Sequence, residues 1–181
     1  MPDVTLYLSI CIEGSDEDIV FDVVVEEQSA VVRQLDWPTA MDGSQVDLTV
    51  LSNSRGNLLP RNWPEVYSPI RVKLPDGRLD PKDISVVQSN LIECWSMSWW
   101  GFQKGDAAMM LIVETPDDAA YQFDHPPGGP TTIGPRWRHS LGRFRYSRRL
   151  RMCFFRKGNY VTLAKRYRRY VANSGKLVLL K

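Results

Sequence analysis

The chain has 181 residues, 43% hydrophobic and 24% charged, which fits one large soluble domain or at most two small ones. No apolar run approaches the roughly 20 residues of a membrane-spanning helix, and Asp3 stands where a secretory signal would carry positive charge, so no membrane partner and a cytoplasmic location are expected. The net charge of +2 hides a split: residues 1–131 hold all 21 Asp+Glu and 8 of the 23 Lys+Arg, while residues 132–181 hold the other 15 and no acid. Such a basic end either binds a polyanion or packs against an acidic surface, in the chain or on a partner.

The front half has the period of two that marks strands. Val4, Leu6, Leu8, Ile10 and Ile12 alternate with smaller or polar residues, and after the GSDED turn Ile19, Phe21, Val23 and Val25 repeat the pattern, predicting a hairpin with one buried face. Val31 to Trp37 and residues 46–51 predict two further strands. Residues 52–81 are dense in Pro, Asn and Gly and predict a long excursion around a short IRVKL strand, with Trp63 and Tyr67 pinning it to the body.

Residues 84–100 predict one or two strands, and Ala107 to Glu114 reads as a central strand covered on both faces. Asp117-Asp118 predicts a turn before AYQF, and DHPPGGPTTIGP predicts a loop. In RFRYSRRLRMCFF, Phe144, Tyr146, Leu150, Met152 and Phe154 alternate with Arg143, Arg145, Arg149 and Arg151, so an apolar row faces a core and an arginine ladder lines the other side. A helix follows from about Asn159 to Asn173, with Tyr160, Leu163, Ala164, Tyr167, Tyr170 and Val171 on one side and Gly175 as its stop; KLVLLK then restarts as an extended segment. Strands first and a helix last predict an all-β, antiparallel sandwich with one C-terminal α-helix.

Enzyme templates are poorly represented. The sequence carries neither common Gly-rich phosphate loop, nor HExxH, nor GxSxG. Cys11, Cys94 and Cys153 have no CxxC spacing, and with His125 and His139 lying elsewhere they predict free thiols rather than a metal site. Glu114, Asp117 and Asp118 are the carboxylates that an acid–base pair of the glycosidase kind would use, but a turn is the simpler reading of the last two. No catalytic residue, metal or cofactor is therefore assigned.

Strict alternation through 94–100 puts Trp95 and Trp99 on one face, expected in the core, and Trp100 on the other. Trp100 is then the first candidate for contact with a sugar or another domain, near Asp117 or Asp118, with Trp99 and Trp63 as further carbohydrate-binding candidates. The arginine ladder and the KRYRRY helix also meet the broad description of a nucleic-acid surface, which ranks behind the carbohydrate readings because no known nucleic-acid module pattern is present.

Two stretches, SMSWWGFQKGDAAMMLIVETPDDA and RWRHSLGRFRYSRRLRMCFFRKGNYVTLAKRYRRYV, resemble the β-sandwich domain that precedes the catalytic barrel in glycoside hydrolases of the endo-α-N-acetylgalactosaminidase group. LDWPTAMDGSQVDLTVLSNSRGNLLP adds to the similarity, which is strongest in Gly158 to Tyr170. The resemblance implies a galactose-mutarotase-like supersandwich over residues 1–157. Residues 158–181 would then be a linker helix and terminal strand leading toward a barrel that these residues do not include. It implies that the catalytic carboxylates lie in that barrel, and that the helix and arginine ladder face it. The expected function is a non-catalytic accessory domain that supports the barrel and flanks its glycan cleft; a stand-alone carbohydrate-binding module and a nucleic-acid-binding protein are the alternatives.

Overall fold

Two antiparallel sheets, one of seven strands and one of five, make up most of the described structure. The structure is a computed structural model, and it describes residues 3–27, 31–53, 56–61, 72–73, 79–80, 86–90, 95–124 and 132–178. The larger sheet comprises β1 (Val4–Glu13), β2 (Asp18–Glu27), β5 (Leu48–Asn53), β6 (Asn57–Pro60), β10 (Trp95–Lys104), β11 (Ala107–Val113) and β14 (Arg148–Phe155). The smaller comprises β3 (Gln34–Leu35), β4 (Met41–Asp42), β9 (Val86–Asn90), β12 (Ala119–Asp124) and β13 (Thr132–Arg138). The order is β1-β2-β14-β11-β10-β5-β6 in the larger sheet and β3-β13-β12-β9, with β4 beside β13, in the smaller. β7 (Val72–Lys73) and β8 (Leu79–Asp80) pair separately, and every described pairing is antiparallel.

The main core lies between the two sheets. Val23, Val25, Trp95, Trp100, Leu111, Leu150 and Met152 from the larger sheet meet Tyr121, Ile133 and Trp137 from the smaller. The antiparallel sandwich with a C-terminal helix is thus the fold, as the strand periodicity predicts. Burial of aromatics dominates it: truncating a fully buried Trp such as Trp100 costs about 3–5 kcal/mol.

A second core lies on the outer face of the larger sheet, under α1 (Tyr160–Asn173). Val50, Trp99, Met110, Ile112 and Cys153 pack there against Leu163, with Tyr167 and Tyr170 alongside. The helix starts where Asn159 accepts the Val161 and Thr162 amides at 3.1 and 3.2 Å while Thr162 reaches back to the Asn159 N–H, a capping box. Gly175, at φ +71°, ends it. Gly101 brings helix and sheet together, since a Cβ there would sit 2.6 Å from Leu163 Cδ1 and from the Met109 carbonyl.

Several sequence readings need correction. The segment 31–37 contains only the two-residue β3. The proline-rich loop ends earlier than expected, because Thr132 to Arg138 form β13 despite Gly134 and Pro135. Pro135 falls between the stretches of β13 that pair with β4 and with β3, an interval where that side of the strand has no ladder for its missing N–H to break. β14 begins at Arg148, so Arg143 and Arg145 lie exposed before the strand and the four-arginine ladder reduces to Arg149 and Arg151. Tyr146 and Phe154 are exposed rather than core-facing. Leu6, Leu8, Ile10 and Ile12 of β1 are exposed too, although their partners on β2 are buried or half-buried, and of that apolar row only Val4 is half-buried against the main core. Trp63, Tyr67, Cys94 and His125 lie outside the described residues.

Candidate functional site

The tryptophans are set by a bulge. Trp95 pairs with Asn53 and Trp100 with Leu51, so a two-residue step on β5 is matched by a five-residue step on β10. The excess shifts the phase of the side chains within β10, and Trp95 and Trp100 share the inner face. Ser52 fills the bulge: its hydroxyl lies against the carbonyls of Met97 and Trp99, the latter at 2.5 Å. The Ser98 N–H, displaced from the ladder, donates to the Tyr167 hydroxyl of α1 at 3.2 Å.

Trp100 is 0% exposed and meets Trp95 edge-on at 6.2 Å, while Trp95 meets Tyr121 at 4.7 Å. Trp99 is 3% exposed and lies beside Tyr167, with ring centroids 6.3 Å apart. The expected outward face of Trp100 is therefore corrected: it is the inter-sheet plug, and Trp99 is the ring that meets another element, α1. Neither presents a ring face to solvent in this chain.

The Asp117–Asp118 turn has more to offer. Asp117 is exposed, and Asp118 accepts the Tyr146 hydroxyl at 2.5 Å. Arg148 lies behind them, wholly buried, its guanidinium carbon 3.6 Å from the Tyr146 ring centroid and 5.0 Å from that of Phe144. It donates to the carbonyls of Arg138 at 2.9 Å and Tyr146 at 3.0 Å, and its contact with Asp118 is 3.5 Å. Burial, followed by the Asp118 hydrogen bond, pushes the Tyr146 phenol up to about 12, and burial lowers the Arg148 guanidinium. The alternation of the segment predicts Tyr146 in the core and gives Arg148 no role. Arg148 was nevertheless legible, since it shares the parity of Leu150 and Met152 and so points inward with them.

The outer face of β14 carries the largest cluster of charge. Arg149 bonds Glu114 at 2.9 Å, Asp22 at 3.0 Å and Glu13 at 3.0 Å; Arg151 bonds Glu114 at 2.5 Å, Glu13 at 2.9 Å and Asp18 at 3.3 Å. Arg166 of α1 closes on Asp18, and Arg169 pairs with Asp16 at 2.7 Å. Hydrogen bonds from Arg149 and Arg151 hold the Glu13 carboxyl below the usual range, and Glu114 heads the partners that raise the Arg149 guanidinium. Part of the charge split of the sequence is thus met within the chain, because Arg149 and Arg151 of β14 and Arg166 and Arg169 of α1 lie over acids of the first hairpin and over Glu114. That use ties Glu114 to two guanidiniums, away from any role as half of an acid–base pair with Asp117 or Asp118.

His139 Nδ1 accepts the Gly142 N–H at 3.1 Å, the local bond of a turn histidine. Cys153 is a buried free thiol pushed up to about 12, by burial first, and Cys11 is an exposed one. Among the described residues no group of three or more His, Cys, Asp and Glu is arranged to hold a metal ion.

Neither a protein-family model nor a curated protein sequence matches the chain. Solved structures do. The α-N-acetylgalactosaminidase NagBb from Bifidobacterium bifidum, in its GalNAc complex, superposes with a TM-score of 0.77 at 27% identity, over 97% of this chain and 27% of its own. The ligand-free form gives 0.70 at 27% identity over 93% and 26%, and the Gal-NHAc-DNJ complex 0.73 at 26% identity over 96% and 27%. The chain spans about a quarter of the length of these glycoside hydrolases, and its fold corresponds to a domain-sized part of them.

Proposed function

We propose that the chain is a non-catalytic β-sandwich accessory domain of a glycoside hydrolase, of the galactose-mutarotase-like kind, that supports a catalytic barrel and flanks its glycan cleft. The observation that carries this reading is the superposition of 97% of the chain on 27% of an α-N-acetylgalactosaminidase. The resemblance of the ETPDDA and GNYVTLAKRYRRY segments to the domain before the barrel supports it independently. In this reading residues 158–181 lead from sandwich to barrel, and an α-linked N-acetylgalactosaminide is the substrate of the whole enzyme. The test compares the 181-residue chain with the product of its full reading frame on an aryl α-N-acetylgalactosaminide. Turnover by the longer product alone is expected. Turnover by the 181-residue chain, or a frame that encodes no hydrolase domain, refutes the proposal.

A direct sugar contact is the second reading, and it moves from the tryptophans to the corner of Asp117, Asp118 and Tyr146. An exposed carboxylate beside an aromatic ring, held by Asp118 and Arg148, suits the hydroxyls and CH face of a sugar. Calorimetry with GalNAc on the 181-residue chain and on Tyr146→Ala tests it: heat lost in the variant supports the contact, and no heat with the unaltered chain removes it.

A further inference from the structure

The inner face of the larger sheet is wider than the sheet that covers it. On β2, Val23 and Val25 are buried in the main core, and they lie directly opposite Leu8 and Leu6 of β1, which therefore point to the same side. Yet Leu6, Leu8, Ile10 and Ile12 are between 42% and 71% exposed. The apolar row of the inner face thus runs on from β2 into β1, where only Val4 is half-buried against the core. Together these side chains expose on the order of 400 Å² of apolar surface, about half of what one partner contributes to a standard interface.

β1 is also an open edge. Nothing in the described sheet order pairs beyond it, and ten residues of alternating pattern leave every second N–H and C=O facing outward. Natural edges of that length are normally guarded by lysine, proline or a bulge, and VTLYLSICIE contains neither residue and pairs with β2 in unbroken register. The absence of Lys and Arg from the strand also argues against an anionic lipid surface, which would be met by basic residues.

We infer that the inner face of β1 is the seat of the catalytic domain of the same hydrolase, which lays an apolar segment over Leu6, Leu8, Ile10 and Ile12. The inference rests on the accessory-domain reading and adds the surface to it. The matched α-N-acetylgalactosaminidase chains carry this fold on only 26–27% of their length, so nearly three quarters of such a chain is available to complete the core. The arginine-rich face offers less to such a partner, because Arg149, Arg151 and Arg166 are paired with the chain's own acids and α1 covers the sheet beside them.

The experiment mixes the 181-residue chain with the remainder of its reading frame, expressed separately, and measures affinity by calorimetry. Leu8→Lys with Ile10→Lys is expected to weaken binding at least tenfold, whereas Thr5→Lys with Ser9→Lys, on the opposite face of the same strand, changes it by less than about twofold. Both double variants should melt with the unaltered chain, since every altered residue is exposed. Hydrogen exchange needs no variant: β1 amides should be protected in the full-length product and exchange faster in the 181-residue chain. Equal affinity for the two double variants, or β1 exchange unchanged by the remainder, overturns the docking surface and leaves the accessory-domain reading standing. A dimer of the 181-residue chain in sedimentation, abolished by Ile10→Lys and indifferent to the remainder, assigns the face to a second copy and overturns the inference. A frame without a hydrolase domain overturns both.

Discussion

Glu114 is the residue whose loss should reveal how the basic end is held. Its two carboxylate oxygens take the Nε–H of Arg149 at 2.9 Å and of Arg151 at 2.5 Å, and its side chain is 11% exposed. Glu114→Gln keeps the shape and removes the charge, leaving one amide oxygen for two guanidiniums. Stranding a buried ion costs about 3–5 kcal/mol. Arg149 retains Glu13 and Asp22, and Arg151 retains Glu13 and Asp18, so neither is stranded and the expected loss is smaller, about 2 kcal/mol. For a domain of this size that lowers Tm by about 4–8 °C. Urea unfolding followed by tryptophan fluorescence measures it directly, because Trp95, Trp99 and Trp100 are all buried. Glu13→Gln, at the more exposed end of the cluster, should cost less than about 1 kcal/mol. A loss at Glu114 below about 0.5 kcal/mol, or smaller than that at Glu13, would refute the claim that the cluster fastens β14 to the first hairpin.

Gly101→Ala should destabilise by about 1–3 kcal/mol, since its Cβ meets Leu163 and the Met109 carbonyl; the loss should appear as faster hydrogen exchange in α1 before the rest of the fold responds. Cys11 should react with a thiol reagent in the native state, and Cys11→Ser should remove one equivalent of fast-reacting thiol, while Cys153 should react only at the rate of unfolding. The raised pKa of Tyr146 makes the folded state hold a proton that the unfolded chain releases near 10. Its stabilisation is therefore complete below pH 10 and lost as pH rises toward 12, and Tyr146→Phe should flatten alkaline unfolding in that window. Glu13 has the opposite sign: its lowered pKa stabilises above about 4.5 and is lost as pH falls through the folded value, so Glu13→Gln should flatten acid unfolding.

The sequence alone determined the first hairpin and the helix, because alternation over ten residues and a capped 3.6-residue period are local properties of the chain. It also carried the charge split, and the parity that turns Arg148 inward. What it left open depended on partners distant in the chain. The bulge between Trp95 and Trp100 exists because β5 offers two residues and the hydroxyl of Ser52 where β10 offers five, so parity counted along one strand sent Trp100 to the wrong side. Whether Arg149 and Arg151 face solvent, a ligand or acids was decided largely by acids more than a hundred residues away that β1 and β2 bring alongside β14. Burial of the β1 row followed the same logic in reverse. An apolar face marks what a strand can bury, and only the elements packed against it determine what it does bury, which here leaves Leu6, Leu8, Ile10 and Ile12 exposed.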